Sequence, residues 1–374
     1  VYKRQALVRT TRPRAGRRVP VGLAVAASIS CTLAAVPLGY LLVRAGGEGW
    51  SGVVAAFGGA RVLELAARSL LLAAAVTAGA LAIGLPTAWL LARARLPARG
   101  LWLVLAALPL AVPSYVSAFG WLAVFGLSGF WGAFVVLTTV CAPYVTLPLA
   151  AAMRRAEDLE STARTLGRRP LAAFWSVTWP QVAPAAAAGS LLVALYVLSD
   201  FGAVALMRYD ALTWAIHWAY GAGFDRTRAA VYALVLVAIA LVVVLAERAA
   251  RRRAGERLAS GSSEPALPVA LGRARLPTLA GLGLVAAVSV GVPLAALVLR
   301  LTDGASSGVT WAELMPALGA TVALSVGGAV AATALALPIG VLAARYRGRV
   351  AATLEAASYL GHALPGIVVG LSLV

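Results

Sequence analysis

The chain has 374 residues, of which 61% are hydrophobic and 12% charged, and its mean hydropathy is +0.88. That balance lies far outside soluble globular usage. A net charge of +18 would point to nucleic acid in a soluble domain, but here the charge sits in short segments between apolar runs, which excludes that reading.

Residues 1–18 form a basic N-terminus carrying Lys3, Arg4, Arg9, Arg12, Arg14, Arg17 and Arg18. The run that follows, Val19–Val43, is too long for a signal-peptide core and predicts a retained first span. Runs of about 20 apolar residues predict further spans at Ser69–Ala92, Leu101–Val124, Phe130–Ala152, Pro184–Met207, Ala229–Ala246, Leu276–Leu299 and Ala317–Ala344. A ninth begins near Val350. The fold class is therefore all-α, a polytopic transmembrane helical protein. With the N-terminus in the cytoplasm, 25 of the 32 Lys and Arg residues lie inside. The other seven (Arg44, Arg61, Arg68, Arg208, Arg226, Arg228 and Arg300) lie outside, the asymmetry of the positive-inside rule. The lipid bilayer is a partner and nucleic acid is not.

Cys31 and Cys141 fall inside apolar runs without metal-site spacing and read as small core residues. His217 and His362 offer no paired geometry, and no P-loop, H-E-x-x-H or G-x-S-x-G motif occurs. No catalytic residue, metal site or cofactor is expected, and ATP hydrolysis, if used, belongs to another subunit.

Between Met153 and Pro184 the apolar pattern is interrupted by RRAEDLESTARTLGRRPLAAFWSVTWPQV. The spacing predicts a helix from about Glu157 to Leu166, acidic in its first turn and closed by Arg164, the order a helix dipole favours. Gly167 stands where a left-handed C-terminal residue is wanted, and Pro170 suits the first turn of a second helix. Leu159, Ala163 and Leu166 are expected on one face of the first helix, and Leu171, Phe174, Trp175 and Thr178 on one face of the second. A helical elbow with apolar stripes, set between two spans, needs something to dock against.

Asp200, in LYVLSDFGAVALM, is the only carboxylate inside a complete span, and Glu355 sits early in the ninth. A charge at that depth marks either a functional group facing protein or water, or a helix-break Asp bonded to Ser199 or to backbone near Gly202. The external segment Arg208–Arg228 holds Tyr209, Asp210, Trp214, His217, Trp218, Tyr220 and Asp225. These are ferric-iron ligand types in principle, but they read better as an interfacial aromatic belt and a docking surface. Pro86, Pro113, Pro338 and Pro365 are expected to interrupt spans, either lining a pathway or acting as packed kinks.

Shifting the chain on itself by 252 residues lays LAIGLPTAWLLARAR (81–95) on TALALPIGVLAARYR (333–347). Pro86 then meets Pro338, Arg93 meets Arg345, Arg95 meets Arg347 and Pro113 meets Pro365. This predicts a tandem parallel repeat of a six-span unit. The expected domains are the N-terminus 1–18, a first half 19–247 with the elbow at 153–183, a cytoplasmic linker 248–275, and a second half 276–374. A second elbow would fall beyond Val374, so the second copy is expected to be truncated and the intact protein to reach about 500 residues.

The elbow carries a resemblance. Ser161-Thr162-Ala163, Gly167, Val177, Trp179 and Pro180 fall on the loop pattern E-A-A-x-x-x-G-x9-I-x-L-P of ABC-importer permeases. Gly167 and Pro180 match outright, and the Glu position is Ser161, with Glu160 one residue early. More specifically, PSYVSAFGWLAVFG (113–126) and YVLSDFGAVALMRYDALTWAIHWAY followed by GAGFDRTRAAVYALVLV resemble the fused two-half permeases of ferric-iron ABC importers, over nearly the whole chain from about Arg68. The resemblance implies a type I ABC importer permease fold in a bacterial-type inner membrane. It implies ABC ATPase subunits on the cytoplasmic face and an external solute-binding protein. Glu160, Ser161, Thr162, Ala163, Leu166, Gly167, Phe174, Trp175, Val177 and Pro180 would then form the ATPase-coupling elbow, with Leu166, Phe174 and Trp175 filling the ATPase cleft. Asp200, Pro113, Ser114 and Tyr115 are the candidate pathway residues. Thiamine, a polyamine or a phosphonate are alternative solutes, and a secondary transporter or an intramembrane enzyme are alternatives of another class.

Overall fold

The structure is a computed structural model, which describes residues 19–47, 54, 57, 59–155, 159–221, 225–254, 269–302, 310–346, 353–354 and 366–372. Among them the secondary structure is helical, apart from one isolated bridge between Ala94 and Val269. Seven helices are long and apolar enough to cross a membrane, and a bent pair makes an eighth candidate.

The larger of two compact units takes Tyr40–Ser307 with Ala363–Val374. It contains α2 (Ala60–Arg93), α3 (Arg99–Ala107), α4 (Ser114–Phe125) and α5 (Gly129–Arg155). The elbow follows as α6 (Leu159–Thr165) and α7 (Pro170–Ala173). Then come α8 (Trp179–Ser199), α9 (Gly202–Leu206), α10 (Leu212–Gly221) and α11 (Arg226–Ala254). α12 (Arg275–Ala286) and α13 (Val292–Thr302) are joined by a π turn, and α15 (Gly366–Ser372) completes the unit.

α5 is its central helix, with Val136, Leu137, Val140, Cys141, Val145, Leu149 and Met153 buried. α2 packs on it through Leu65, Leu72, Val76, Ala80, Ala88 and Leu91, spaced by the three- and four-residue steps of a helix face. α8 lies so close to α5 that a Cβ at Gly189 would sit 2.6 Å from the Tyr144 carbonyl oxygen and 2.9 Å from Val145 Cα. A small residue there lets two backbones touch, the usual device where lipid and protein core are equally apolar.

The hydrogen bonds sort this unit into two ends. At one end Val269 N–H donates to Arg93 O (2.7 Å), Arg95 N–H donates to Val269 O (3.0 Å), and Trp102, Phe174 and Trp179 pack around Leu91, Leu149, Met153 and Val182. At the other, Leu212 N–H donates to Ser69 Oγ (2.9 Å), Tyr209 Oη donates to Arg68 O (3.0 Å), and Gly129 N–H donates to Met207 O. α2, the α3–α4 pair, α5 and α8 therefore run in alternating directions, with the elbow and Val269 at one end and the loops at 126–128 and 207–211 at the other.

The smaller unit takes Val1–Gly39 with Gly308–His362. In it, part of α1 (Val21–Gly46) packs against α14 (Trp311–Arg345) through buried Ala27 and Leu342, with Leu23, Ile339 and Tyr346 around them. Cys31 Sγ donates to Leu354 O (3.4 Å). α2 and α14 stop at equivalent places on the 252-residue repeat: the next residues, Ala94 and Tyr346, are both extended and donate to Leu90 O and Leu342 O.

Several expected boundaries move. Leu101–Val124 is not one straight span, because the chain bends by 92° between α3, with its trailing 3-10 turn, and α4. Pro113 lacks an N–H and holds Val112 in an extended conformation, so the helix cannot pass through. The expected span Pro184–Met207 instead runs from the elbow, without a loop, to Ser199 and breaks at Asp200. Pro86 and Pro338, expected to interrupt their spans, lie inside unbroken helices. The N-terminus 1–18, Pro365, Glu355, His362 and most of the ninth apolar run lie outside the described residues.

Candidate functional site

Two places bring the chemistry-bearing residues together. The first is the elbow. α6 ends in a Schellman arrangement: Arg168 N–H donates to Ala163 O (3.1 Å) and Gly167 N–H to Arg164 O (3.0 Å). This closure needs a left-handed residue, and Gly167 supplies it at φ +87°. Pro170 opens α7 after an extended Arg169. Phe174–Thr178 then form a π turn in which Trp179 N–H reaches back to Phe174 O, and α8 continues from it. Thr178 Oγ1 donates to Glu160 Oε2 (2.8 Å), and Arg168 Nη1 donates to Ser176 Oγ (2.8 Å).

The expected apolar faces divide. Ala163 and Ala173 are buried and Thr178 is 1% exposed. Phe174 turns into the bundle against the cluster around Leu91, Leu149 and Met153. Leu166 (81% exposed), Leu171 (72%) and Trp175 (49%) point out of the elbow, Trp175 lying edge-on to both Phe174 and Trp179. Thr162, Gly167 and Pro180 are exposed, while Glu160 and Val177 are half-buried. The side chains of Leu159 and Ser161 lie outside the described residues. Leu171 was placed by the sequence on the second helix face but not among the docking residues; its exposure is visible only once Phe174 is seen to turn inward.

The second place joins two helix breaks at the other end of the bundle. Asp200 follows α8 in an extended conformation and is 8% exposed. Its Oδ2 accepts from Ser114 Oγ, its Oδ1 accepts from Ala203 N–H (2.9 Å), and its backbone carbonyl accepts from Thr213 Oγ1 (2.9 Å). Pro113 caps α4 and puts Ser114 at its first position, so the break at Pro113 and the break at Asp200 are pinned to each other. Gly202 rests on Tyr115, where an added Cβ would lie 3.1 Å from Tyr115 Cβ, while Tyr115 itself is 57% exposed. α4 continues against α13, its Gly120 close to Pro293. The sequence flagged Asp200, Pro113, Ser114 and Tyr115; it did not show that Asp200 pairs with Ser114, nor that Thr213 takes part.

The polar residues of the segment 208–228 are engaged separately. Asp210 meets Arg61 (3.3 Å) and Arg68 (3.5 Å), which also pair with Glu64 at 3.0 and 2.7 Å. These pairs are half-exposed, so each contributes about 0–1 kcal/mol. Burial pushes the Tyr209 phenol above its ordinary range, against the opposing pull of Arg68. His217 lies 4.6 Å from the Phe201 ring, Arg226 sits over Tyr220, and Asp225 bonds Arg228. Among the described residues no three His, Cys, Asp or Glu side chains gather as a metal site.

Residues 80–255, which include both places, match the family described as binding-protein-dependent transport system inner membrane component. The Fe(3+)-transport system permease protein FbpB 2 of Haemophilus influenzae is 33% identical over 346 residues, covering 91% of this chain and 68% of that protein. The sulfate transport system permease protein CysT of Salmonella typhimurium is 28% identical over 197 residues, 47% of this chain and 71% of that one. The molybdenum transport system permease protein ModB of Mycobacterium tuberculosis is 36% identical over 148 residues, 35% of this chain and 56% of its own length. Each of the three is a transport system permease protein. The chain belongs to the binding-protein-dependent transport system inner membrane component family, the membrane-spanning permeases of ABC importers.

Proposed function

We propose that this permease carries ferric iron, released at the membrane by an external solute-binding protein and driven by separate ABC ATPase subunits. The observation that carries the solute assignment is the likeness to an Fe(3+) permease across 91% of the chain, where the sulfate permease CysT matches 47% of it and the molybdenum permease ModB 35%. The elbow end faces the cytoplasm, with the N-terminus on the same side, because that orientation places 25 of the 32 basic residues inside. Leu166, Leu171 and Trp175 then present an apolar surface to the ATPase, and removing it from water on docking favours association. Phe174, packed inward, passes motion of the elbow to the base of α2, α5 and α8. ATP-driven closure of the ATPase subunits moves the elbow, and the two expected halves, 19–247 and 276–374, rock about the pathway. The Ser114–Asp200 junction lies at the far end of that pathway.

Uptake of radiolabelled ferric iron tests this. The full-length permease is expressed with its ATPase and binding protein in cells lacking their own importer. ATP-dependent uptake that sulfate and molybdate do not compete is the expected result. Uptake of an oxyanion without iron would remove the iron assignment while leaving the permease family intact.

A further inference from the structure

The elbow's one described carboxylate does not face outward. Glu160 lies one position before the residue that the loop pattern reserves for Glu, and one position is about 100° around a helix. Its Oε2 turns back to accept from Thr178 Oγ1 at 2.8 Å, and Thr178 is 1% exposed. Thr178 is the last residue of the π turn through which the elbow runs into α8. π turns are uncommon and are found frequently at functional sites. α6 is only seven residues long, too short to hold its own orientation in water, so its attachment to the turn fixes its angle. The attachment uses buried Ala163, the Arg168–Ser176 bond at 2.8 Å, and the Glu160–Thr178 bond. Both bonds are charge-assisted, but the Arg168–Ser176 bond is exposed to water whereas the Thr178 donor is buried, which makes the Glu160–Thr178 bond the stronger of the two.

We propose that Glu160 is a positioning residue: through Thr178 it locks α6 to the π turn at the base of α8, so that displacement of the elbow is passed into the span. This rests on the reading of 153–183 as the ATPase-coupling elbow. Glu160 thus acts within the permease, not as a contact to the ATPase. The hydroxyl needs an acceptor oxygen, and a neutral amide supplies one, so the bond survives loss of the charge.

The test uses the full-length permease, assembled with its ATPase and binding protein in proteoliposomes. Basal ATPase rate, solute-stimulated ATPase rate and ATPase-subunit retention are measured. Thr178→Val and Glu160→Ala should each lower the stimulated rate roughly tenfold, the size expected for one hydrogen bond to a charged group. Basal rate and retention should be unchanged. Thr178→Ser, which keeps the donor, should stay within about twofold of wild type, and Glu160→Gln, which keeps a neutral acceptor, should lower the stimulated rate less than Glu160→Ala does. The double variant Glu160→Ala/Thr178→Val should be no worse than either single one, as for two ends of one bond. If Thr178→Val fails to insert, Glu160→Ala reads the same bond from its accessible side. A damaging Glu160→Gln beside a silent Thr178→Val would overturn the proposal in favour of a charged contact to the ATPase. Failure of the wild-type chain to retain any ATPase subunit would instead bring down the coupling reading, and the proposal with it.

Discussion

Ser114 donates its hydroxyl to Asp200 across 86 positions of chain, tying the break before α4 to the break after α8. Each break alone would leave backbone or carboxylate groups short of partners in an apolar setting, and joined, each supplies what the other lacks. Asp200 therefore has a structural occupation whether or not it meets the solute.

Asp200→Asn keeps an acceptor oxygen for Ala203 N–H, and its amide can donate to the Ser114 hydroxyl. We expect iron uptake within about twofold of wild type and an unchanged melting temperature. Asp200→Ala strands both partners in a buried site, at about 1–3 kcal/mol, and should lower the melting temperature in detergent. Loss of uptake by the Asn variant at unchanged stability would move Asp200 from holding the break to handling the solute.

Gly167 is held at φ +87° with open space where a Cβ would go. The Cβ of Gly167→Val meets no neighbour, so the cost is chiefly conformational, about 1–2 kcal/mol. That is enough to open the end of α6 but not to unfold the bundle. Membrane insertion should be normal, and stimulated ATPase activity should fall. Gly167→Asn, which tolerates the left-handed region, should recover much of it. Full stimulation with Val would show that the closure of α6 is dispensable.

Gly189→Ala should act on the bundle itself. Its Cβ would come within 2.6 Å of Tyr144 O and 2.9 Å of Val145 Cα, and backbone atoms cannot turn aside. We expect α8 to be displaced from α5 and stability to drop by about 1–3 kcal/mol. Gly283→Ala is the control, since nothing lies within 4 Å there. It should be neutral, or stabilising by up to about 1 kcal/mol. Equal melting temperatures for the two variants would contradict the close packing of α8 on α5.

The two ends of the bundle give a topology test. Ser128 and Arg168 are exposed at opposite ends. In a background lacking Cys31 and Cys141, an impermeant thiol reagent applied to intact cells should label Ser128→Cys and leave Arg168→Cys unmodified until the membrane is opened. The reverse pattern would invert the orientation.

The sequence by itself determined whatever depends on near neighbours along the chain. The apolar run lengths set the class and most spans. Gly167 fixed the end of α6, and Pro113 forced the break before α4, because both act through backbone rules that reach only a few residues. The 252-residue repeat marked the common ends of α2 and α14. What lay out of reach was which apolar surface meets protein and which does not. α2 and α14 carry matching patterns, yet α2 buries a full stripe under α5 and α8, whereas α14 buries Leu342 and exposes Leu318, Val322, Leu324 and Val330. In a membrane, lipid and protein core select the same side chains, so periodicity cannot tell them apart. The same limit hid the inward turn of Phe174 and the outward turn of Leu171. Asp200 and Glu160 could be named as unusual carboxylates, but their partners, Ser114 and Thr178, were decided by the fold, because a buried or half-buried carboxylate takes the donor that packing brings to it.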